Sequence, residues 1–303
     1  MISFKTKNNK TRRARRTKAK QIIKSLRCIG INAAGLKPKI VTFKKVLNEL
    51  QPAVFFIRES KIKKEGKLSF ENYELFEMSR ETKEGGGLLI GCIKDLKPVL
   101  VRKGTDDTEV MSVDIFVKTM KIRCVVAYGC QENSLVEKKL AFWKFIEEEA
   151  MTAQNSGSGF IMQFDGNLWA GSNLVPGDPR PQNKNGKLFG EFLSRQKQLT
   201  IVNSLPLCEG LITRMRVKDG KAETSILDFF VVCSRVLPYV SRMKIDDDKK
   251  YILTNYKPAR KGEKATDTDH FTEILDINLD IVPGKPKRRE IFRFKDKKSP
   301  GII

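Results

Sequence analysis

Histidine is almost missing from this chain. His270 is the only one in 303 residues, so any chemistry that needs an imidazole has a single candidate. Acids are missing from one end: residues 1–27 carry eleven Lys and Arg and no Asp or Glu. Long apolar runs are missing as well. Lys24 and Arg27 interrupt the early apolar stretch, leaving no visible signal peptide. No later run approaches the ~20 apolar residues that cross a bilayer, so no membrane partner is expected. Six cysteines (Cys28, Cys92, Cys124, Cys130, Cys208, Cys233) contain no Cys-x-x-Cys pair and no zinc-like spacing. Those inside strand-like runs read as small apolar residues of a reduced, intracellular protein.

What is present suits one large α/β domain or two small ones, since 40% hydrophobic content can fill a substantial core. The net charge of +22 sits mostly at the ends, because residues 285–298 add eight bases against two acids. Residues 1–26 are expected to be a disordered basic tail and 283–303 a basic linker, flanking a body at 27–282. Such tails bind polyanions by releasing counterions, or serve as a nuclear-import address.

Along the body, Arg27–Ile31 reads as a strand. Ile40, Phe43, Val46, Leu47 and Leu50 recur at helical spacing, and Gln51-Pro52 ends that helix. Ala53–Ile57 is an unbroken apolar run, as expected of a strand buried on both faces. Further strands are expected at Leu88–Ile93, Met111–Val117, Lys121–Ala127 and Phe160–Phe164. Ser134-Leu135-Val136-Glu137 reads as a capping box opening a helix with Val136, Leu140 and Trp143 on one face. A surface loop at 171–187, a helix at Leu188–Arg195, a strand at Leu199–Asn203, a hairpin at Leu211–Cys233 and a strand at Phe271–Ile281 complete it. Many strands and few helices point to packed sheets with helices outside.

Polar residues recur at strand ends: Asn32, Glu59, Tyr128, Asp165-Gly166-Asn167, and Asp269-His270. Ligand clefts of layered α/β proteins gather there. Acids, amides and one imidazole suit metal-assisted phosphodiester cleavage, in which a carboxylate holds Mg²⁺ and a base prepares water. Each has a plainer reading, as a turn residue, a surface ion pair or a half-buried tyrosine. Asp228 resists one, because it interrupts the apolar run Ile226–Val232 and a buried charge must find a partner.

In order, Asn32-Ala33-Ala34-Gly35-Leu36, Arg58-Glu59-Ser60, Tyr128-Gly129, Asp165-Gly166-Asn167, Ser225-Ile226-Leu227-Asp228-Phe229 and Thr268-Asp269-His270 resemble the motif series of the endonuclease/exonuclease/phosphatase superfamily. Asn185-Gly186-Lys187-Leu188-Phe189 fits the same pattern. The resemblance is nearest to the apurinic-type endonuclease domains of non-LTR retrotransposons and covers about residues 27–282. It implies a four-layer α/β sandwich of the DNase I type, two mixed sheets face to face with helices outside. It implies Mg²⁺ (with Mn²⁺ as a substitute) held by Glu59, Asn32 and Asp269. Asp165 would position or deprotonate water, Asn167 would hold it in place, and His270 would contact the scissile phosphate with Asp228 as its buried partner. Tyr128 is implied at the phosphate or leaving group, and Thr213 at the phosphate. The chain departs from the pattern in Phe164-Asp165-Gly166-Asn167, where glycine and a bulky residue are exchanged. Arg58 replaces a common glutamine, and Cys130 replaces a common proline.

The expected function is a Mg²⁺-dependent endonuclease that nicks one strand of duplex DNA, leaving 3′-hydroxyl and 5′-phosphate ends. In a retroelement that hydroxyl would prime reverse transcription, with a reverse-transcriptase domain downstream in a longer polyprotein and a nuclear location. The alternatives are an apurinic/apyrimidinic repair endonuclease, a phosphatase of the same superfamily, and a catalytically dead basic nucleic-acid-binding protein.

Overall fold

The computed structural model describes residues 25–63, 68–80, 85–255 and 267–280. Two strand–helix–strand units frame it. In the first, β1 (Ser25–Asn32) leads through α1 (Ile40–Leu50) to β2 (Val54–Arg58), which pairs with β1 in parallel, Asn32 opposite Arg58. The chain continues through β3 (Tyr73–Met78), β4 (Leu88–Ile93), β5 (Val99–Thr105) and β6 (Thr108–Val117). The second unit is β7 (Met120–Tyr128), α2 (Val136–Asn155) and β8 (Gly159–Asp165), again a parallel pair, with Tyr128 opposite Asp165. Then come α3 (Lys184–Arg195), β9 (Leu199–Ile201), β10 (Cys208–Glu209) and the hairpin β11 (Arg214–Lys218) and β12 (Lys221–Ser225). β13 (Asp228–Cys233), β14 (Val240–Ile245) and β15 (Glu273–Asn278) finish it.

These strands make two mixed sheets. One runs β10-β14-β15-β1-β2-β4-β3, the other β5-β6-β7-β8-β13-β9, and β11-β12 stand apart. Alternation along each strand sorts the core. On β2, Val54 and Phe56 join the cluster between the sheets, while Phe55 and Ile57 join Phe43, Val46, Leu47 and Leu50 of α1 on the outer face. Phe56 meets Phe230 of β13 across the gap, ring centroids 6.1 Å apart. On the far side Trp143 of α2 stacks on Phe189 and Phe192 of α3, at 5.3 and 5.0 Å. Each such buried ring contributes about 1.5–3 kcal/mol of transfer free energy. The result is the expected four-layer sandwich: α1, sheet, sheet, then α2 with α3.

Several local expectations are corrected. Ser134 forms no capping box: the N-cap of α2 is Leu135, with no side-chain cap bond. Val136 and Leu140 are exposed, and the helix buries Phe142, Trp143 and Ile146 instead. The aromatic contacts with α3 and the sheet outweigh the cap in choosing that face. α3 starts at Lys184, inside the expected loop, because the Asn183 side chain caps it by accepting the Gly186 N–H at 2.8 Å. The expected hairpin 211–233 divides, its first part forming β11-β12 and its last joining β8 in the second sheet. Strands β3, β5 and β14 had no clear alternation to announce them. Of the expected tails, Ser25 and Leu26 belong to β1; residues 1–24 and 281–303 lie outside the described residues.

Candidate active site

Both parallel pairs deliver polar residues to the same end of the sandwich. Asn32 closes β1, and Glu59 follows β2 in a left-handed conformation (φ 47°). A non-glycine residue there is strained by roughly 1 kcal/mol or more. Tyr128 and Asp165 close β7 and β8, and Asp228 opens the antiparallel β13 opposite Asp165. The segment before β15 is stitched to the first unit by the Thr268 hydroxyl, which donates to the Asn32 carbonyl at 2.6 Å. Thr268 lies 236 residues from Asn32 along the chain, and this bond brings in its near neighbour His270.

The side chains form one connected path. Asn32 Nδ2 donates to Glu59 Oε1 at 3.0 Å and to Asp165 Oδ2 at 2.9 Å. The Tyr128 hydroxyl donates to Glu59 Oε1 at 2.8 Å. His270 Nε2 lies 3.8 Å from both Asp165 Oδ2 and Asp269 Oδ1, while its Nδ1 is 2.8 Å from Asp228 Oδ2. Asp165 Oδ1 accepts the Asn167 N–H at 3.0 Å, and Asn167 Nδ2 donates to the Gly129 carbonyl at 2.8 Å. A Cβ on the exchanged Gly166 would lie 2.5 Å from Leu168 Cδ2, and one on Gly129 would lie 2.5 Å from the Gly166 carbonyl oxygen, so the two turns touch backbone to backbone. Phe164, displaced inward, packs against Trp143 and Phe229.

Burial and charge set the protonation states. Burial would raise Glu59, but hydrogen bonds from Asn32 and Tyr128, with Lys61 nearby, hold it below the usual carboxylate range. Burial and then Asp228 push Asp165 up. Asp228 is held low despite burial, because His270 and Arg58 face it. For His270, burial opposes the charge, but Asp228 and the neighbouring acids carry its pKa up to about 9. Burial, with Asp165 and Glu59 close, raises the Tyr128 phenol far above its ordinary value, so it stays a donor.

Some expected roles do not fit the placement. Thr213 is fully buried, and its hydroxyl accepts the Leu227 and Asp228 N–H groups at 2.9 and 3.1 Å, so it braces the start of β13 from inside. Asn32 is also fully buried and serves as the bridge between Glu59 and Asp165, away from open space. Asp269 gives Oδ2 to Arg214, whose Nε and Nη2 both lie 2.7 Å away. Two contributors escaped sequence reading, Arg214 and Glu273. Neither breaks an apolar run that could have marked it, Glu273 following the polar Thr272.

A divalent cation fits the donor set in one place better than another. Asp165, Asp228 and His270 each offer an atom within 4.8 Å of the others. Yet Asp228 is fully enclosed and already faces His270 and Arg58, which leaves a cation no approach. The Glu59 carboxylate is 21% exposed, is held ionised, and turns Oε2 outward beside Lys61 at 3.4 Å. Hard cations that keep some of their water favour such a half-open carboxylate.

No known sequence family and no curated protein matches the chain. Solved structures do. The endonuclease domain of TRAS1, a telomere-specific non-LTR retrotransposon, aligns at 16% identity over 84% of this chain and 100% of that one, with a TM-score of 0.57. An AP endonuclease, LMAP, from Leishmania major aligns at 15% identity over 84% and 88%, TM-score 0.64. A 3′-5′ exonuclease, NExo, from Neisseria meningitidis aligns at 13% over 84% and 100%, TM-score 0.60. The fold is therefore a DNase I-like α/β sandwich. More particularly, it is the fold these endonuclease and exonuclease structures share, at a sequence distance where the likeness carries the architecture alone.

Proposed function

We propose that the chain is a metal-dependent phosphodiester hydrolase that nicks one strand of duplex DNA, leaving 3′-hydroxyl and 5′-phosphate ends. The observation that carries this is the continuous path Glu59–Asn32–Asp165, with the Asp228–His270 pair beside it, at one end of the sandwich. Asp165, its pKa raised by burial and by Asp228, is the candidate to take a proton from water. His270 is protonated below about 9, and its Nε2 is free to donate to a phosphate oxygen. Tyr128 and Asn167 add neutral donors at the rim. Glu59 and the open oxygen of Asp269 would hold Mg²⁺ or Mn²⁺. A bound cation would supply charge neutralisation and a more acidic water.

The basic ends at 1–26 and 283–303 would grip duplex phosphates and address the protein to the nucleus. The motif series carries the choice of target-site cleavage, with a reverse-transcriptase domain downstream, over a repair role; the similar structures include both a retrotransposon domain and an AP endonuclease. Supercoiled plasmid nicking with end-group analysis tests the reading. Mg²⁺ should yield open circles bearing 3′-hydroxyl ends, and chelator should abolish them. Intact circles alongside release of terminal 3′-phosphate would instead make it a phosphatase.

A further inference from the structure

Behind the Asp228–His270 pair lie Arg58, Glu273 and Gln163, to which the proposed reaction assigns no role. Arg58, at the end of β2, is fully buried on the face that Val54 and Phe56 turn toward the second sheet. Its Nη1 lies 3.0 Å from Asp228 Oδ1, and its Nη2 lies 3.5 Å from Glu273 Oε2 on β15. Asp228 spends its other oxygen on His270 Nδ1. Glu273 in turn receives Gln163 Nε2, from β8 of the opposite sheet. A Cβ at Gly30 would stand 2.5 Å from Gln163 Cδ, so glycine is required for that side chain to cross the gap.

Stability does not ask for this arrangement. Ion pairs fully withdrawn from water recover little of their desolvation cost, and apolar side chains of similar volume usually serve as well or better. The guanidinium nitrogens make ion contacts without aligned hydrogen bonds, which makes the cluster dearer still. Its one clear consequence is at Asp228. That carboxylate is gripped from below by a permanent cation and from above by the imidazole, so neither oxygen is free to rotate away.

Building on the hydrolase reading, we propose that Arg58 is a positioning residue, which fixes Asp228 and through it the ring of His270. Because His270 is the only histidine, its ring signals in a nitrogen-correlated proton spectrum need no assignment by mutagenesis. The full-length protein, without metal or substrate, should show a protected Nδ1–H resonance. In Arg58→Met and Arg58→Gln that resonance should broaden or vanish while thermal unfolding stays cooperative. Plasmid nicking should lose about 10–100-fold in kcat, the scale for partners that orient a functional histidine, with KM little changed. Arg58→Lys, which restores the charge, should recover most of both signals. Folded Met and Gln variants with a native ring resonance and native kcat overturn the proposal. Unfolding of all three variants also overturns it, since Arg58 would then be purely structural. Absence of nicking by the unaltered protein sinks the hydrolase reading, while the ring spectra still judge Arg58.

Discussion

Among single residues, chemistry turns on groups whose neighbours have moved them from their ordinary protonation. His270→Ala or Asp165→Asn should lower plasmid nicking by roughly 10²–10⁴-fold while duplex affinity, read by gel shift, changes little. Native turnover in either variant would remove that residue from the reaction. Glu273 makes a separate thermodynamic point. Burial outweighs Arg58 and lifts its pKa from 4.5 to about 8. A carboxyl raised on folding contributes stability that is complete below its unfolded pKa and is lost as pH rises through the folded one. Urea denaturation of the native protein should therefore weaken relative to Glu273→Gln between about pH 5 and 9, by up to a few kcal/mol. Parallel curves would mean that Glu273 is ionised throughout.

At the level of elements, several polar groups were visible as an interruption or an end. Asp228 interrupted the apolar run Ile226–Val232, and Asn32, Tyr128 and Asp165 ended strands. What those elements did next depended on packing. The α2 helix took its face from Trp143 and its aromatic neighbours and left Leu140 outside, against the expected stripe. Trp143→Ala should therefore cost about 3–5 kcal/mol in urea unfolding, whereas Leu140→Ala should cost little. Equal losses would show that the helix is rotated from this placement. Thr213 teaches the same lesson at the site: a threonine near a motif says nothing about which way its hydroxyl turns until β13 closes over it.

For the whole molecule, charge and fold separate. Most of the net +22 lies in the terminal segments, away from the site, so on the proposed reading grip and chemistry would belong to different parts of the chain. Removing residues 1–24 should leave the nicking rate of bound DNA intact and reduce the log–log salt dependence of binding by about 0.9 per lost phosphate contact. An unchanged slope would confine that segment to addressing. Sequence alone determined the architecture and most of the site's members, because buried strands need unbroken apolar runs and a charge that interrupts one needs a reason. Only the tertiary structure decided which of those members keep an exposed face and which hold one another, Asn32 and Thr213 being braces and Arg58 a hidden counter-charge. Those distinctions rest on distances between strands far apart in the chain, which no local pattern encodes.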